Sequence, residues 1–218
     1  MNHQRRLTLA LIATLVIAFT VGFLTENLRA SMLFQWVLEP GESLHFEATV
    51  TGYANAGSTP QPPPFASLNH SVIRATIESL PNFTIFMRID DFPSEVVGFL
   101  KTSSTFANGS EIPALQYLQV NDLVSKSILP VGNWRSLDVY FPDSVELTGN
   151  ATSVESFIAA DYGNLFLVGF IRLSMVQGSG WFGYVNKTTG APELMGLWAW
   201  SNVQPYTYSY NVTLTSVL

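Results

Sequence analysis

The chain has 218 residues, no cysteine, 10 Lys plus Arg against 16 Asp plus Glu, and only 12% charged residues. A net charge of −6 repels nucleic acid and anionic head groups, so neither is expected as a partner. The missing cysteine excludes disulfides, thiol catalysis, Cys-ligated zinc and tethering through a lipidated cysteine.

Taken in order, residues 1–6 form a short N-terminus carrying Arg5 and Arg6. Residues 7–24, LTLALIATLVIAFTVGFL, are uncharged, with Thr8, Thr14 and Thr20 their only polar side chains. As a helix this run spans about 27 Å, close to the ~30 Å hydrocarbon core of a bilayer. Positive charge stays on the cytoplasmic side, which places residues 1–6 inside and everything from about Thr25 outside. A single-pass signal-anchor held in the lipid bilayer is expected. The alternative is a cleaved signal peptide and a secreted form, although Leu28-Arg29-Ala30 is a poor cleavage site. Beyond residue 30 the chain holds 7 basic and 15 acidic residues, a net of −8 outside the membrane.

Residues 25–43 are a linker and first strand, with Trp36 a core aromatic or an interfacial anchor. The extracytoplasmic domain is expected over 44–218. Leu44, Phe46, Ala48 and Val50 alternate with polar residues, the period of a strand with one buried face and with His45 on the wet side. Gly52–Phe65, with four prolines, reads as a loop containing a polyproline stretch at 62–64. Ile73, Ala75 and Ile77 define a further strand, and Phe83–Asp90 the next, paired as a hairpin. Asp90, Asp91 and Glu95 lack the spacing of a calcium loop and read as a solvated turn, so no metal site is expected.

Val96–Lys101 is read as a short strand and Thr102–Ser110 as a polar loop. Pro113–Ile128 is the best helix candidate, with Leu115, Leu118 and Leu123 near helical spacing and Pro130 beyond its end. Leu137–Phe141 is a short strand. Val154–Ala160 and Leu165–Leu173 form a hairpin around Asp161–Asn164, and the second strand is apolar on both faces, as if covered on each side. Gly180–Val185 and Glu193–Trp200 form another hairpin, and Tyr206–Leu214 closes the chain with Tyr206, Tyr208, Tyr210, Val212 and Leu214 on one face. Together these predict a mainly β domain: one antiparallel curved sheet, half-barrel or sandwich, with one or two short helices, behind an N-terminal transmembrane helix.

Six Asn-x-Ser/Thr sequons occur, at Asn69, Asn82, Asn108, Asn150, Asn186 and Asn211, where 13 Asn and 39 Ser plus Thr would give about two by chance. They are glycosylation candidates if exposed outside the membrane; shared turn and strand-edge chemistry is the other explanation. Trp36 with Pro40-Gly41-Glu42 and the strand after it, Leu129–Trp134, and Tyr184 through Thr189-Gly190 together resemble a pattern in archaeal membrane-anchored, β-rich extracytoplasmic proteins of unassigned function. Val185 stands where that pattern has Asp. The resemblance implies a cell-surface β domain, in some related-looking cases a half-barrel holding a hydrophobic ligand, and it transfers no catalytic residue.

Histidine occurs only at 3, 45 and 70, and Gly-x-Ser-x-Gly, His-Glu-x-x-His and phosphate-binding glycine loops are all missing. Catalysis and a cofactor are therefore not expected. A non-enzymatic surface protein making envelope or protein contacts is the leading reading. The alternative is a binding module for a hydrophobic or carbohydrate ligand through Trp181, Trp198, Trp200, Tyr206 and Tyr208, aromatics that could equally fill the core of the sheet.

Overall fold

A computed structural model describes residues 20, 34–81, 100–132, 134 and 153–217. The apolar run 7–24, apart from Thr20, lies outside these residues, as do Asn82, Asn150, the strand at 83–90, the acids at 90, 91 and 95, and Leu137–Phe141. Among the described residues no helix is long and apolar enough to cross a membrane.

Among the described residues the strands are β1 (Phe34–Gln35), β2 (Ser43–Ala56), β3 (Thr59–Gln61), β4 (Val72–Ser79), β5 (Lys101–Phe106), β6 (Val131–Gly132), β7 (Ser153–Tyr162), β8 (Leu165–Ser174), β9 (Gln177–Asn186), β10 (Pro192–Ser201) and β11 (Tyr206–Ser216), with an α-helix, α1, over Ala114–Ser127 and a short 3-10 turn at Ala66–Leu68. Strands β7 to β11 are a meander of four hairpins. The last of them pairs with β2, which carries β4 and β5 on its other side, giving the order β5-β4-β2-β11-β10-β9-β8-β7 in one antiparallel sheet, with β3 on the free half of β2. The short strands β1 and β6 pair separately.

Period-two alternation sets the buried face. Phe46, Ala48 and Val50 of β2, Ile73, Ala75 and Ile77 of β4, and Val212 and Leu214 of β11 are buried, while His45, Glu47 and Arg74 are exposed. Met195 and Leu197 of β10 continue this face, and α1 covers it with Val120, Leu123 and Val124. Trp36 packs half-buried against the core and donates its indole N–H to the Pro81 carbonyl at 2.9 Å.

Four expectations need correction. Strand β2 runs through Ala56 and β3 follows at 59–61, both within the expected loop 52–65. Gly52 makes this possible: with φ at 129° it lets β2 pass so close to β11 that any side chain there would strike the Ser209 carbonyl. The segment 101–106, KTSSTF, is a strand and not a polar loop. Its buried Thr102 and Ser104 hydroxyls both donate to the Asn121 side-chain oxygen of α1, at 2.9 and 3.1 Å, so hydrogen bonding replaces the apolar signal. In α1, Leu115 and Leu118 are 82% and 67% exposed, and the sheet meets Val120, Leu123, Val124 and Ser127 instead. Strand β8 is central, between β7 and β9, but only its Phe166–Val168 side is fully covered; Leu165, Leu167, Ile171 and Leu173 are half-buried.

Candidate functional site

The C-terminal aromatics divide between two faces. Register sets Leu197 opposite Trp181 on β9 and opposite Val212 on β11, so Trp181 shares the helix-covered face. Tyr206, Tyr208 and Tyr210 follow the parity of Val212 and lie on that face too. Trp198 and Trp200 alternate with the buried Leu197 and Ala199 and therefore occupy the opposite, open face. The five residues Trp181, Trp198, Trp200, Tyr206 and Tyr208 are thus two groups and not one cluster.

On the helix face, α1 covers only part of the sheet. A hollow of about 200 Å³ lies beside the helix between Asp122, Phe170, Trp181, Leu197 and Tyr210. It shares Ser179 and Ala199 with a hollow of about 500 Å³ further along, which reaches Glu155, Arg172, Gln177 and Tyr208 and touches Trp200 at its margin. The two form an open trough. Tyr208 and Tyr210 stack along it, ring centroids 5.8 Å apart and planes 27° apart, and Phe65 packs against Tyr210 at 5.4 Å. Arg172 is ion-paired with Glu155 at 2.6 Å and lies 6.0 Å over the Phe170 ring. Lys126 is paired with Asp122 and sits 5.8 Å from the Trp181 ring. Burial pushes the Tyr210 phenol above its ordinary value of 10.0, and Tyr208 beside it raises it further. Tyr206 is 66% exposed at the rim.

Charge is distributed unevenly around this trough. Residues 48–73, 173–186 and 194–217 contain no Asp, Glu, Lys or Arg. They supply the ends of β2 and β8, all of β9, nearly all of β10 and all of β11. The exposed turn residues Met175, Val176 and Val203 lie at the same end, where the Asn202 N–H donates to the Val176 carbonyl at 2.8 Å.

On the open face, Trp198 and Trp200 lie over glycines of β9. A Cβ on Gly180 would come within 2.8 Å of Trp198 Cζ2, and one on Gly178 within 2.5 Å of Trp200 Nε1. The Phe182 ring lies over Gly196 in the same way, with 2.6 Å to its Cζ, and meets Tyr184 edge-on at 6.0 Å. These rings line a groove of about 390 Å³ whose other side is Thr51, Ser209 and Asn211.

Of the four described sequons, Asn69, Asn108 and Asn211 are exposed and Asn186 is half-buried. The Asn69 side-chain oxygen accepts the Val50 N–H at 2.8 Å, filling the gap on β2 between its pairings with β4 and β3. Asn108 accepts from the Ser110 N–H and hydroxyl at 2.9 and 2.7 Å. Asn186 donates to Glu193 at 2.7 Å and accepts from Thr188. Among the described residues no three His, Asp or Glu side chains converge as metal ligands would.

Sequence reasoning singled out neither Phe170 and Phe182 nor the Glu155–Arg172 pair, and it read Tyr184 only as part of a turn motif. Each sits in a run that reads simply as strand, and only strand pairing brings it to a face with the tryptophans. No family model, no curated protein and no solved structure matches this chain.

Proposed function

We propose that this chain is a membrane-tethered, non-enzymatic surface protein whose extracytoplasmic β domain binds a neutral, hydroxyl-rich ligand, a glycan, in the trough on its helix face. The observation that carries this reading is the stacked Tyr208–Tyr210 pair and Trp181 in strands free of charge. Aromatic faces take up the C–H faces of sugar rings, and the flanking Ser179, Gln177 and ion-paired Glu155 and Arg172 offer hydrogen bonds to hydroxyls. A trough open along its length suits a chain better than a compact solute. A sheet curled around α1 as a half-barrel accounts for a single helix touching both β5 and β9–β10, three strands apart.

The described chain enters the domain at one end of the sheet. Strand β1 pairs with β6 close to Gly190, whose carbonyl accepts the Leu129 N–H, at the sheet end opposite Met175, Val203 and Tyr206. A second reading, contact with another envelope protein, is favoured by Leu115 and Leu118, which α1 turns outward.

The test is titration of the full chain in detergent with neutral glucan and N-acetylglucosamine oligomers, followed by tryptophan fluorescence. Saturable quenching that Tyr208→Ala abolishes is expected. A flat response to the whole series, with a surface protein co-purifying through α1, would replace this reading with the second.

A further inference from the structure

We propose that Asn211 is an N-glycosylation site whose sugar packs against the chain's own open sheet face, in the groove beside Trp198 and Trp200. The inference rests on the export part of the reading above and is independent of the trough.

Asn211-Val212-Thr213 lies within β11, and Asn211 faces Trp198 on β10 and Thr51 on β2 in register. Val212 is fully buried on the helix side, which turns Asn211 and Thr213 to the open face. Asn211 and the tryptophan rings are the two sides of the same groove, about 390 Å³ in volume. Gly178, Gly180 and Gly196 clear the space in which Trp200, Trp198 and Phe182 lie flat, with their outer faces half exposed. A flat, uncharged aromatic floor stacks on the C–H face of a sugar, and Ser209 and Thr51 offer hydroxyls beside it.

The Asn211 amide is also free to take the sugar. Among the described residues its side chain makes no hydrogen bond, whereas Asn186 commits its Nδ2, the atom that takes the sugar, to Glu193, and Asn69 and Asn108 engage Oδ1 in shaping a strand edge and a turn. The donor would be a lipid-phosphate-linked oligosaccharide. The C1–O bond to phosphate and one Nδ2–H bond break, an Nδ2–C1 bond forms, and the proton leaves with the phosphate; nothing is oxidised or reduced. The step precedes pairing of β11 with β2 and β10, because the acceptor segment must be extended and accessible to the transferase. A glycan seated here also covers half-buried tryptophans that would otherwise face water.

The test uses the full chain expressed in its own host. Mass spectrometry of the peptide containing Asn211 should find it glycosylated, and Asn211→Gln should lose that mass. In the variant, tryptophan emission should shift to the red and acrylamide quenching should rise, and neither change should occur in a background where Trp198 and Trp200 are replaced by Leu. A bare Asn211, with or without sugar on other sequons, overturns the proposal. Glycosylation with no change in tryptophan quenching overturns the packing. Protease accessibility of the domain on intact cells separates the two readings: an exposed domain with a bare Asn211 sinks this inference alone, whereas an inaccessible domain sinks the export reading as well.

Discussion

Ser127 sits directly on Gly183. A Cβ added to Gly183 would lie 2.6 Å from Ser127 Oγ and 2.9 Å from its Cβ, so this glycine sets how closely the end of α1 approaches β9. Gly183→Ala should lower stability by about 1–3 kcal/mol through overpacking, read as a lower urea midpoint with an unchanged slope. Ser127 Oγ is buried without a hydrogen-bond partner among the described residues. Ser127→Ala should therefore leave stability unchanged or raise it, because an unsatisfied buried hydroxyl costs about 1–3 kcal/mol. A midpoint that falls with Ser127→Ala would mean the hydroxyl is satisfied.

Phe46 is fully buried between Ile73 on β4 and Ser216 on β11, at the seam where the two halves of the sheet meet. Phe46→Ala should cost about 3–5 kcal/mol, the range for emptying a packed aromatic site. Thermal melting of the variant checks this, and a loss near that of an exposed residue would place the core elsewhere.

Tyr210 introduces an alkaline limit. Its phenol is raised in the folded chain by burial and then by Tyr208. The stabilising effect of its neutral form is fully present below the ordinary value of 10.0 and is lost as pH rises from there through the higher folded value. The unfolded chain releases this proton first, so alkali favours unfolding. Absorbance at 295 nm should show one tyrosine titrating after the rest, and Tyr210→Phe should shallow the fall in stability above pH 10. An identical alkaline profile in the variant would count against this assignment.

The two aromatic faces should respond separately. Tyr208→Ala should abolish binding of neutral oligosaccharides with little change in melting, since Tyr208 is only half-buried. Phe182→Ala, on the other side of the sheet and lining only the groove there, should leave that binding intact. Equal losses from both variants, measured by calorimetry, would contradict the separation of the faces.

Much of this architecture is legible in local pattern. Alternation at 44–50, 73–77 and 212–214 identifies buried faces because side chains in a strand point to opposite sides in turn. Turn residues place the hairpins of β7 to β10, and Pro113 and Pro130 bracket α1. The strand KTSSTF escapes such reading because its burial depends on Asn121, fifteen or more residues away. Leu115 and Leu118 mislead because spacing defines a helical stripe but not which stripe meets the sheet.

The sequence by itself determined a mainly β, cysteine-free domain with its charge excluded from three long segments, because composition and period-two burial are local properties of the chain. Only the tertiary structure decided that Trp181 and Tyr208 lie on one face while Trp198, Trp200 and Asn211 share the other. That division depends on the register of β9, β10 and β11, and a shift of one residue in any pairing would exchange the faces. It also decided that β11 pairs with β2, joining residues 150 to 170 positions apart, which no local signal encodes.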